Sequence, residues 1–382
     1  MIYLDHNATT PLAPEVLEAM GPYLTGQFGN PSSYYQLGRE ARAAVERARG
    51  QVAALLGSRP EEIIFTGGGT EADNLALRGV LQAAGSGAGH IITCLTEHHA
   101  VLETCGDLQR RGVEVTQLAV DASGRVDPDD LRRAIRPDTA LVSVMAANNE
   151  TGVIQPLDQI AAVTRQAGVP LHTDAVQAAG KIQLDVDGMG VDLLSLSAHK
   201  IYGPKGMGAL YARAGTPLAA VLTGGHQESQ RRAGTENVAG IAGLAAALSR
   251  AEAQRKAEGE RQAALRDHME SALQKRLEGV HVNGDAAARV PNTSSLSFEA
   301  VDGESVILHL DLRGICAATG SACTTGDPEP SHVLLAMGLD PHRAQGAIRL
   351  SLGCDTSSED VDTTVDALVE VVPRLRAIST LS

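Results

Sequence analysis

Basic residues are in short supply: 32 lysines and arginines stand against 46 aspartates and glutamates in 382 residues, a formal net charge of -14. Phosphate backbones need a basic surface, so nucleic acid is excluded as the direct ligand. The cluster Arg39, Arg42, Arg47 and Arg49 sits at helical spacing among glutamates and reads as a solvated face. Long apolar runs are lacking as well. The most helix-like, Ile241 to Leu248, is Ala-rich and too short to cross a bilayer, so no membrane partner is expected. The chain opens Ile2-Tyr3-Leu4-Asp5 with no basic leader, which gives the expectation of no signal peptide and a cytoplasmic address. Cysteine is sparse and odd in number, at positions 94, 105, 316, 323 and 354, which fits reduced thiols rather than a disulfide framework. No CxxC or HExxH occurs, and the adjacent His98 and His99 cannot both face one ion in regular structure. No metal site is expected.

What the chain does have is a rhythm. Short apolar runs, Glu62–Thr66, His90–Cys94, Glu114–Leu118, Ala140–Met145, Val169–Asp174 and Val191–Leu196, alternate with helical patterns such as Glu71–Gln82 and Pro156–Gln166. This βαβ alternation implies an α/β fold with a mostly parallel sheet covered on both faces. A charged stretch from Leu248 to Leu277 reads as one helix leaving the first unit, with Gly259 as a candidate break. Beyond it, Asn292–Phe298, Ile315–Ala318 and Ala347–Leu352 supply strands for a smaller α/β unit. A chain of this length divides into a large domain, 15–255, and a small one, 1–14 with 256–382.

Ligands of a parallel sheet bind outside the carboxyl ends of its strands, so the residues just after each apolar run carry the information. Lys200 follows one such run, beside His199 and Ser197, and a lysine so placed can lose its proton and attack a carbonyl. Asp174 ends another, with Gln177 close behind. A carboxylate against a pyridinium nitrogen and a lysine in imine linkage are the two groups pyridoxal phosphate requires. Thr66-Gly67-Gly68-Gly69-Thr70-Glu71 opens a helix and can cradle a phosphate on free N–H groups. A histidine of the pair His98-His99 can stack on a ring and shuttle protons, and an asparagine of the pair Asn148-Asn149 can bond a ring hydroxyl. Each has an ordinary reading too. Asp174 and His98 can cap helices, Asn148-Asn149 can be a turn, and Arg349 can be a strand-end surface arginine. Lys205 is a rival for Lys200, although Pro204 and Gly206 make its segment a turn.

At this point the sequence resembles a known family. Tyr3–Pro11, Gly29–Ser33, Thr70–Asn74, Thr96–His98, Asn148–Glu150, Asp174–Gln177, Ser197–Gly206, Arg232–Asn237 and Gly320–Cys323, taken in order, look like a pyridoxal-phosphate cysteine desulfurase of the nitrogen-fixation and iron-sulfur-cluster assembly type. The resemblance implies a fold-type I homodimer with a seven-stranded sheet that converts L-cysteine to L-alanine and holds the sulfur as a cysteine persulfide. It implies that Lys200 carries the imine, Asp174 the ring nitrogen, Gln177 the ring hydroxyl and His98 the stacked face, with Asn149 beside the ring. Gly69, Thr70, Ser197 and His199 would hold the phosphate, with Thr235 reaching across from the other subunit. Arg349, helped by Asn30, would clamp the substrate carboxylate. Cys323, in a loop of small residues, would carry the sulfur to an acceptor protein such as an iron-sulfur cluster scaffold. An aminotransferase or selenocysteine lyase of the same fold, and a non-catalytic sulfur carrier, are the alternatives. A transaminase has no use for a thiol on such a loop, and a carrier has none for Lys200, Asp174, His98 and Arg349.

Overall fold

The computed structural model describes residues 1–85, 89–320 and 330–379. Twelve strands run in chain order: β1 (Ile2–Tyr3), β2 (Ile63–Thr66), β3 (His90–Cys94), β4 (Glu114–Leu118), β5 (Thr139–Ser143), β6 (Leu171–Asp174), β7 (Leu193–Ser197), β8 (Gly208–Ala212), β9 (Val280–Val282), β10 (Thr293–Phe298), β11 (Ile315–Cys316) and β12 (Ala347–Ser351). Seven of them form one sheet in the order β2-β8-β7-β6-β5-β3-β4. The pairs β7–β6, β6–β5, β5–β3 and β3–β4 are parallel, and β8 alone runs antiparallel to both neighbours. Strands β2, β3, β6 and β7 are buried along their whole length, as expected where helices cover both faces.

β8 is not among the apolar runs that mark the other strands, because it follows closely on the Pro204-Lys205-Gly206 turn. Gly208 explains why it can pair there: a Cβ at this position would lie 2.6 Å from the Gly68 carbonyl carbon, so the strand passes the Gly68 loop at backbone contact. The long helix also differs from expectation. It spans Val238–Arg276, starting well before Leu248 and passing through Gly259 without a break. Its first half is apolar and packs on helices Pro14–Leu24 and Gln36–Leu56. A glycine costs a helix interior only about 1 kcal/mol, which packing on either side offsets.

That helix links two apolar cores. Ile241, Leu244 and Leu248 belong to the core around the large sheet. Met269 and Leu273 join Leu4, Leu296, Phe298, Ile348, Leu350 and the buried face of helix Ser358–Ile378 in the other. The second core is backed by the antiparallel sheet β12-β10-β9, and β1 pairs with β11 beside it. The N-terminal segment is the seam: Asp5 bridges to Ser351 of β12, while Thr10 bonds the His199 carbonyl after β7 at 2.9 Å. Among the described residues, no helix is long and apolar enough to cross a membrane.

Candidate active site

At the carboxyl ends of the sheet strands lies a cavity of 270 Å³. Its wall collects Gly69, Thr70, His98, Asn149, Asp174, Gln177, Ser197, His199, Lys200 and Arg349 from six separated stretches of sequence. Asn7, Ala8, Asp73, Met145 and Val176 complete it. The strand-end residues chosen from sequence thus converge. Asn30 and Thr235 do not: both are exposed and away from the cavity, and the Asn30 side chain accepts from its own Ser32 N–H at 2.9 Å. Cys323 lies outside the described residues. The described residues on either side of its segment meet one side chain, since Ser331 donates to Glu150, and a Cβ at Gly320 would collide with the same carboxylate.

Lys200 closes a one-turn 3-10 helix, Ala198–Lys200, that follows β7. Its Nζ donates to the main-chain oxygens of Asn7 at 2.6 Å and Ala8 at 2.7 Å, so the N-terminal segment holds the amine at the cavity wall. Lys205 is exposed and lines another surface hollow. Asp174 is both the turn cap and a cavity carboxylate. One oxygen accepts from Val176 N–H at 2.8 Å, and burial pushes its pKa to about 6 despite that bond and the nearby Lys200. Behind it, His172 is pushed down to about 3 by burial; it bonds Ser143 and Ser195 and adds no charge at neutral pH. A buried carboxylate so short of cations suits a protonated ring nitrogen.

His98 likewise does two things. It is the N-cap of helix His99–Arg110, its Nδ1 accepting from Ala100 N–H at 3.1 Å. Burial, then Lys200, His99 and His332, lower its pKa to about 4. Since Nδ1 is an acceptor, the neutral ring carries its proton on Nε2. His99 turns elsewhere, its ring 4.9 Å from that of His332. The asparagine pair also separates. Asn148 spends its side chain on the turn, donating to Thr96 O at 2.9 Å and accepting from Glu150 N and Thr151 N, while Asn149 lines the cavity.

Helix Gly69–Ala84 begins at the cavity, and the N–H groups of its first turn have no partners within the helix. Gly69 must lack a side chain, because a Cβ would lie 2.7 Å from Val176 Cγ2. Ser197 ends β7 beside this turn, and His199 Nδ1 lies 3.1 Å from Thr9 Oγ1 with its pKa lowered to about 4 by burial and then Lys200. A phosphate would find backbone and hydroxyl donors here, while Glu71 of the same turn is taken up by Gly67 N–H and Arg232. Opposite, Arg349 of β12 is 4 % exposed, pairs with Asp5 at 2.6 Å and donates to Asn149 O at 3.1 Å. Its Nε is buried with no hydrogen-bond partner among the described residues, as is Oδ1 of Asp73. Sequence reasoning assigned no role to Asn7, Asp73 or the Asp5 partner of Arg349, although all three fall in stretches that carried the resemblance.

A doubly covered, mostly parallel sheet whose strand ends present a lysine, a buried aspartate and a glycine-led helix start defines a pyridoxal-phosphate-dependent enzyme. The chain belongs to the class-V aminotransferase family, whose model matches residues 2–364. A cysteine desulfurase IscS from Dictyoglomus turgidum is 50% identical to it, over 99% of this chain and 96% of the relative. A solved NifS-like protein superposes with a TM-score of 0.92 at 38% identity, covering 98% of this chain and 100% of the other. The structure described as SspA in complex with cysteine superposes with a TM-score of 0.81 at 36% identity, covering 92% of this chain and 99% of that one.

Proposed function

We propose that this protein is a cysteine desulfurase that takes sulfur from L-cysteine, leaves L-alanine and carries the sulfur on Cys323. The observation that bears most weight is the single cavity that gathers Lys200, Asp174, His98 and Arg349, in a chain half identical to a cysteine desulfurase. Lys200 would bind pyridoxal phosphate covalently, Asp174 would face its ring nitrogen, Gln177 its ring hydroxyl and Asn149 the ring edge. Gly69, Thr70, Ser197 and His199 would hold the phosphate. When bound, the cofactor supplies an electron sink for bonds broken at the substrate carbons.

The chain's own residues do the rest. Arg349 meets the substrate carboxylate with a guanidinium that Asp5 holds at Nη2 and Asn149 O at Nη1, its Nε having no partner among the described residues. His98, neutral at pH 7, exchanges a proton at Nε2. Cys323 accepts the sulfur: an S–S bond forms, the substrate Cβ–S bond breaks, and the proton count closes with L-cysteine plus thiol giving L-alanine plus persulfide. The flanks of its segment meet Glu150, next to Asn149 of the cavity, which supports this role. Buried Cys94 and Cys105 have pKa values pushed up by burial, Cys105 to about 12, and are poor nucleophiles.

Thr235 would reach the phosphate across a homodimer, Asn30 would help Arg349 hold the substrate carboxylate, and a sulfur-acceptor protein such as an iron-sulfur cluster scaffold would take the persulfide sulfur. Free thiols throughout the described residues suit the reducing cytoplasm. We assign residues 15–255 to a cofactor-binding domain and 1–14 with 256–382 to a small domain that brings in Arg349 and Cys323. Lys200→Ala tests the centre of this reading. It should lose the yellow protein-bound cofactor and all turnover, while Lys205→Ala keeps both. The reverse pattern would overturn it.

A further inference from the structure

Lys181 stands four residues beyond Gln177 and is given no task above. Its Nζ donates to Gln177 Oε1 at 2.8 Å and to Asn7 Oδ1 at 2.9 Å. Among the described residues it has no carboxylate partner, and burial, with Lys200 and Arg349 adding to it, pushes its pKa well down. A cation held on two amides and no acid is costly to bury. What it does there is visible in the bonds that follow from it.

A lysine ammonium offers three donors and no acceptor, so both amides must turn their oxygens to it. The nitrogen ends are thereby fixed. Asn7 Nδ2 donates to Thr293 Oγ1 at 2.8 Å and to Asn149 O at 3.1 Å. Gln177 Nε2 donates one N–H to Asn7 O at 2.9 Å, and its second is left for the cavity that Gln177 lines. The same Asn7 oxygen accepts from Lys200 at 2.6 Å. Asn292 Nδ2 also donates to Asn7 Oδ1 at 3.1 Å, so the half-buried Lys181, together with Asn292, sets the polarity of a network that ends at Gln177 on one side and Lys200 on the other.

We propose that Lys181 is a positioning residue that fixes the Gln177 and Asn7 amides, so that Gln177 faces the cofactor's ring hydroxyl as a donor and Lys200 is held in place to bind it. This rests on the role given to Gln177 above. A donor at that ring oxygen favours its anionic form and competes with the protonated Lys200–cofactor link for the same oxygen. The link then gives up its proton at lower pH than it otherwise would. Freeing the Gln177 amide to turn should raise the midpoint by about one pH unit. His6, Lys200 and Arg349 are the titratable groups facing Lys181, with Tyr202, Arg250, Glu258 and Cys354 around the second cavity it borders, and Asp174, His98 and His199 face Lys200; all remain unchanged in the comparison.

The test is a spectrophotometric pH titration of the cofactor-loaded protein as wild type, Lys181→Met, Gln177→Ala and the double variant. Each single variant should raise the midpoint by about one unit. The double variant should go no further than either, because Lys181 acts through Gln177. Lys181→Arg keeps the charge but not the compact ammonium that reaches both oxygens, so it should shift the same way by less and can replace Lys181→Met in the cycle if that variant does not fold. An unshifted Lys181 variant, or shifts that add in the double, would overturn the inference. A wild type with no titrating Lys200-bound chromophore would instead overturn the site reading on which it rests.

Discussion

Three carboxyl groups, Asp73 and Asp174 of the cavity wall and Glu97, are buried with little positive charge to share. Burial, then the Asp174 charge, pushes Glu97 to about 8, so it is a neutral acid at pH 7 that holds Met145 N–H at 2.7 Å. A carboxyl whose folded pKa is raised favours folding most fully below its unfolded pKa, and this contribution is lost as pH rises through the folded value. Glu97→Gln should therefore flatten the fall in melting temperature of the cofactor-free protein between about pH 4.5 and 8. An equal fall in both proteins would place the titration elsewhere. His98→Ala should slow turnover about 100-fold while the cofactor stays bound, and His99→Ala should do far less; steady-state rates with absorbance of bound cofactor decide. The choice of His98 over His99 came from the resemblance. The structure shows what spacing could not: His98 caps the helix with Nδ1 and lines the cavity, and His99 faces His332.

At the level of elements, strand ends were legible because apolar runs stop where polar clusters begin. β3, β6 and β7 deliver His98, Asp174 and Lys200 in that way. β8 was not legible: its five residues Gly-Ala-Leu-Tyr-Ala follow a turn motif that masks them, and only Gly208 hints at the close passage. Nor was the Asn7 hub, since its main-chain oxygen does much of the work and side-chain pattern carries no trace of a backbone acceptor. The start of helix Gly69–Ala84 gives a prediction at this scale. Gly69→Ala would force a Cβ into contact with Val176 Cγ2, a crowding of about 1–3 kcal/mol at the phosphate turn. Cofactor should dissociate measurably faster by absorbance, with far-UV circular dichroism unchanged. Unaltered cofactor release would remove that turn from the phosphate site.

At the scale of the whole molecule, two of the proposed site residues stand apart from the cavity. Thr235 and Asn30 point into solvent, and near Asn30 lie Phe28 and Tyr34 at 71 % and 93 % exposed. Large apolar side chains grouped this way mark an interaction surface, which the proposed homodimer would cover. Sedimentation should find a dimer, and Thr235→Ala should weaken cofactor retention without breaking it; a monomer with full cofactor occupancy would contradict this. The two-core plan was legible from the βαβ rhythm and the change of pattern after the long helix, whereas the exposed apolar group at Phe28 and Tyr34 was not, because exposure is a property of the folded chain. Sulfur transfer is the claim on which all scales depend. Its most direct measurement is peptide mass spectrometry of the cofactor-loaded protein after a single turnover of L-cysteine without reductant. One added sulfur on the peptide containing Cys323, lost in Cys323→Ser together with alanine formation, is the result expected; added sulfur on Cys94, Cys105, Cys316 or Cys354 instead, or normal turnover by Cys323→Ser, would contradict it.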